Sequence, residues 1–108
     1  MKNGLYRVIF QTGLGNGSGV ITLQDGKLLG GDASMFYVGD YKTNNGAFSA
    51  TVKVDRHTAI PGIASVLGTN KAVLNLEGTH TETAVSAEGS ASQAPGIKFA
   101  ASLNWIAD

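Results

Sequence analysis

From Ala47 to Arg56 the chain alternates with period two: Phe48, Ala50, Val52 and Val54 against Ser49, Thr51, Lys53 and Asp55. This is the pattern of a strand with one wall in a core and the other in water. The same rhythm predicts seven more strands, at Gly4–Gln11, Gly19–Gln24, Lys27–Gly30, Met35–Lys42, Lys71–Thr79, Thr83–Ala91 and Ile97–Ile106. Between them lie Asp25-Gly26 and Asn45-Gly46, residue pairs suited to two-residue type I′ hairpins because both central positions need positive φ. Gly39, inside a strand, predicts a bend or a close backbone approach. Pro95-Gly96 suits a type II turn. Only residues 57–70 break the rhythm, and Pro61 and Gly68 there bracket one short helical turn around residues 62–67. Short strands at even spacing, joined by glycine-bearing turns, predict an all-β, antiparallel eight-stranded barrel or flattened barrel.

An eight-stranded barrel has an interior that side chains fill, or that holds one small ligand. Tyr6, Phe10, Phe36, Tyr41, Phe48, Phe99 and Trp105 are expected to point inward. The plain reading makes them the core, since large aromatics supply most of a small domain's buried area. The sharper one makes them the lining of a ligand cavity. Leu5 and Ile9 in the first strand, and Ile21 and Leu23 in the second, make those strands apolar on both faces. Strands of that kind are covered on both sides, either because the barrel flattens into two layers there or because a second subunit covers them; the second alternative gives a dimer or partner surface at these four residues.

With 108 residues the chain is read as one domain, residues 1–108. It has no cysteine, so disulfides and thiolate metal sites are excluded. Eight basic and eight acidic residues cancel, and the basic ones are scattered. Direct nucleic-acid binding, which needs clustered positive charge, is disfavoured. The charged fraction of 15% is low for a soluble domain, and a neutral, charge-poor surface tends to associate. No apolar run reaches the length of a membrane span, and MKNGLYRVIF has no signal-type core, so a cytoplasmic protein without membrane attachment is expected.

Candidate chemistry is thin. The run Gly13–Gly19 has neither the spacing nor the following helix of a phosphate loop, and is read as a flexible hairpin loop. Ser18 lacks the Gly-x-Ser-x-Gly elbow, because Asn16 occupies the first glycine position. His57 and His80, with Glu77 and Glu82, could be imagined around a metal, but two imidazoles in separate polar turns are ordinarily solvated. Asp32, after a glycine pair, is read as structural: its carboxylate can bond backbone amides and fix a bulge. No catalytic residue, metal or cofactor is expected.

The stretch MKNGLYRVIFQ, followed by GNGSG, DGK, GGD and YVGDYK, resembles the GrlR family, small bacterial proteins typified by a negative regulator of type III secretion. The likeness is close over Met1–Tyr41 and looser to His57. Beyond Thr58 it rests on strand rhythm and the Glu77-Gly78-Thr79 turn. The resemblance implies a lipocalin-like β-barrel, a homodimer, and a cytoplasmic role in which the protein sequesters a transcriptional activator away from DNA. The acidic run Glu-Asp-Glu-Asp that presents the partner contact in the typifying regulator has no counterpart here. The sequence thus points first to a non-enzymatic regulator acting by protein–protein binding, with a small apolar-ligand-binding barrel as the alternative.

Overall fold

Asp25 and Asn45 both have φ of 50°, and Gly26 and Gly46 follow at 87° and 86°. These are the positive-φ pairs that the two hairpins require, and they fix the register of the strands on either side. In the computed structural model, which describes residues 1–61 and 71–108, eight strands follow one another: β1 (Gly4–Thr12), β2 (Gly15–Gln24), β3 (Lys27–Gly31), β4 (Met35–Asn44), β5 (Ala47–Arg56), β6 (Lys71–His80), β7 (Ala84–Ala91) and β8 (Ala94–Ala107). Each pairs antiparallel with the next, and β8 closes onto β1, giving a closed lipocalin-like barrel with no free edge. The described residues contain no helix. The helical turn expected at residues 62–67 lies outside them.

Two turns differ from expectation. The glycine run is not a loop: the turn is only Gly13-Leu14, and β2 already pairs with β1 at Thr12↔Gly15. Glycine carries a high strand penalty when isolated, but here the ladder to β1 supplies the bonds. Pro95-Gly96 is not a turn either. The turn is Ser92-Gln93, and the ladder jumps from Ser90↔Lys98 to Ala91↔Ala94. Proline, having no N–H to give, sits in this irregular stretch. Gly39 behaves as expected: a Cβ there would lie 2.2 Å from the Thr51 carbonyl oxygen, so the neighbouring backbone occupies the space.

The inward faces form one core, among them Tyr6, Val8, Phe10, Ile21, Leu23, Tyr37, Phe48, Leu74, Phe99 and Leu103. Ile21 and Leu23 are therefore not part of an outer surface; they are 3% and 0% exposed inside the barrel. The apolar residue that β2 turns outward is Val20. Leu5 is half-buried, and only Ile9 of the four expected surface residues is well exposed.

Candidate functional site: a cavity inside the barrel

The interior is unevenly filled. At the end where the chain begins it is closed. Tyr6 is fully buried there and pairs with Trp105 across β1 and β8. The Tyr41 and Phe48 rings stack with centroids 5.9 Å apart, and Met1 packs against the same cluster. The Tyr6 hydroxyl donates to the Lys2 carbonyl, and the Lys2 ammonium sits 3.7 Å from the centre of the Trp105 ring. Burial and the charges of Tyr41 and Glu82 push the Tyr6 hydroxyl above the usual tyrosine range.

Beyond Phe48 the barrel holds a cavity of about 250 Å³. Its wall is apolar, built from Val8, Phe10, Ile21, Leu28, Met35, Val52, Leu74, Phe99 and Leu103 among others, and it reaches the turn at residues 32–34. The register explains why space remains. Around one belt of the wall the cross-strand partners run Gly17, Phe10, Ala101, Ala87, Gly78, Phe48. Two phenyl groups are thus separated by three positions with almost no side chain. Each aromatic residue that lines the cavity faces a glycine on an adjoining strand: Phe10↔Gly17, Tyr37↔Gly30, Phe48↔Gly78 and Phe99↔Gly89. At Gly17 the consequence is direct, because a Cβ there would lie 2.4 Å from the Phe10 ring. That ring lies against the wall instead of filling the centre. It stacks on Phe99 at 5.8 Å and meets Tyr37 edge-on at 6.1 Å.

One polar cluster breaks the apolar wall. Asp32 Oδ1 accepts from the backbone N–H groups of Ser34 (3.0 Å) and Met35 (2.8 Å), and Oδ2 accepts from the Tyr37 hydroxyl. The amide bonds are those expected of Asp32; the bond from Tyr37 is additional. Burial first, then the hydrogen bond and negative charge of Asp32, push the Tyr37 hydroxyl far above the usual tyrosine range. Behind this turn, His57 and Thr58 donate their N–H groups to the Ser34 carbonyl at 2.8 and 3.2 Å. His57 Nε2 lies 2.9 Å from the Asp32 carbonyl, which can only accept, so Nε2 carries the proton. Nδ1 lies 2.6 Å from the Thr58 hydroxyl.

The seven aromatic residues expected inside thus divide. Phe10, Phe48 and Phe99 line the cavity; Tyr6, Tyr41 and Trp105 pack the closed end and do not. Phe36 points outward and is half-buried on the outer face of β4. Its place is taken by Tyr37, the one aromatic residue the sequence reading left out. The signal was available: Phe36 and Tyr41 are five residues apart in one strand, so they cannot share a face. His57 and His80 lie at opposite ends of the barrel and do not converge. Among the described residues no group of three possible metal ligands comes together. No protein-family model and no curated protein matches the chain.

Proposed function

We propose that this chain is a non-enzymatic binding protein that takes one small, mostly apolar molecule into its barrel. The cavity carries the reading: an apolar space with a few convergent polar groups is the usual form of a small-molecule site. Scaled from a cavity of ~150 Å³ that accepts benzene, this one has room for on the order of ten non-hydrogen atoms. The polar cluster beside it is built of groups that bond one another, as a positioning element does. Charged or polar residues along the middle of the outer faces, such as Arg7, Lys53, Glu77 and Glu88, favour a barrel that stands in water.

A fluorescent apolar dye no larger than naphthalene, of about ten non-hydrogen atoms, tests this reading with Ala101→Leu, which adds three carbons to the middle of the wall. The wild type is expected to bind one dye per chain, and the variant to lose that binding while unfolding at the same or a higher temperature. Equal dye binding by a folded variant would place the dye elsewhere and overturn the reading.

A second reading is the one the sequence put first: a GrlR-like, homodimeric, cytoplasmic regulator that sequesters a transcriptional activator by protein contact. An outer apolar strip favours it. Val20, Leu29 and Val38 are each 43–53% exposed. Leu29 pairs directly with Val38, and Val20 and Phe36 both pair with Gly31, so the four meet on the outside of β2, β3 and β4. The two readings are compatible, since one uses the interior and the other the outside.

A further inference from the structure

Resting on the binding reading above, we propose that the cavity selects a ligand whose polar group is a hydrogen-bond donor, an alkyl alcohol or amine, over the matching carboxylate. Among the described residues Asp32 is the only charged one in the lining, which holds no lysine, arginine or histidine; Arg56, paired with Met35 at this end and with its Nε buried and unpartnered, lies outside it. The sequence of residues 62–70 contains no basic residue either. An anionic head group would therefore enter an apolar space whose one charge has its own sign. Burying a carboxylate without a counter-charge is among the most costly steps in protein chemistry.

The hydrogen bonds point the same way. Three donors already converge on Asp32, from Ser34, Met35 and Tyr37. The Tyr37 proton is committed to that carboxylate, so its oxygen offers only lone pairs to the cavity. His57, the imidazole behind the turn, has its Nε2 proton on the Asp32 carbonyl. Around Asp32 and Tyr37 the cavity is thus an acceptor surface. A hydroxyl can donate to it, and an ammonium gains a charge-assisted bond as well. Ser34, Ser18 and Asn16 add neutral groups that serve either kind of ligand.

The test is a calorimetric or NMR titration of the wild-type chain at neutral pH with three eight-carbon probes: 1-octanol, n-octylamine and octanoate. Octanol and octylamine are expected to bind with dissociation constants at least about tenfold below that of octanoate, a gap of ~1.4 kcal/mol. Octanoate binding as tightly as octanol overturns the donor preference and leaves the binding reading standing. Saturation by none of the three overturns both. In Asp32→Asn, which removes the charge and keeps an acceptor for the two amides, octanoate affinity is expected to rise toward that of octanol. An unchanged gap in a folded variant would mean that Asp32 does not set it.

Discussion

Asp32 and Tyr37 are five positions apart, yet the three-residue turn between β3 and β4 brings the carboxylate onto the hydroxyl. Two consequences meet in that bond. The carboxylate holds the turn by its two amide bonds, and the phenol is held protonated far beyond its ordinary range. The sign for stability follows. In the unfolded chain Tyr37 ionises near its ordinary pKa of 10, while in the fold it keeps its proton. Its stabilising contribution is therefore complete below pH 10 and is lost as pH rises above that value. Urea midpoints measured from neutral to strongly alkaline pH should fall more steeply above pH ~10 for the wild type than for Tyr37→Phe. Parallel curves would show that the phenol is not held this way. The sequence indicated Asp32 as a backbone-bonding residue, but Tyr37 was missed. Its inward position follows from counting in twos along β4, and its partner from a turn length that no residue pattern announces.

At the scale of elements, the pairing of aromatic residues with glycines across strands keeps the cavity open. The hairpin turns were readable because Asp-Gly and Asn-Gly name their own backbone geometry, and both have the expected positive φ. The pairing Phe10↔Gly17 was not. It depends on placing the turn at Gly13-Leu14, and a run of four glycines within seven residues hides a strand that begins at Gly15. Phe48↔Gly78 and Phe99↔Gly89 were still less accessible, since they depend on strand partners that residue patterns within one segment do not assign. Gly17→Ala tests the role of the first pair. Its methyl would meet the Phe10 ring, so the ring must swing into the cavity, at a cost of ~1–3 kcal/mol typical of overpacking. Dye binding should weaken with it. Gly46→Ala is the control: nothing lies within 4 Å of a Cβ there, so only the positive φ is penalised, by ~1 kcal/mol, and binding should be kept. If both variants keep the dye equally well, the glycine under Phe10 is not what makes room.

At the scale of the whole molecule, closure of β8 onto β1 removes the sheet edges through which antiparallel strands commonly associate. Among the described residues, self-association is then left to the outer faces. The strip of Val20, Leu29, Val38 and Phe36 is the candidate, in place of the Ile21 and Leu23 that the sequence suggested. Those two lie on the opposite parity from Val20, and burial in the barrel accounts for their hydrophobicity without a second subunit. If the homodimer reading is right, sedimentation should show a dimer for the wild type and a monomer for Leu29→Glu. A wild-type monomer would remove it.

The claim on which the rest depends is that the barrel interior receives a molecule. Residue-resolved NMR during a titration of the wild-type chain with 1-octanol tests this most directly. A saturable, one-to-one response is expected, concentrated at Phe10, Tyr37, Phe99 and Ala101, with Val20, Leu29 and Val38 unmoved. A response that never saturates, or one confined to that outer strip, would contradict it.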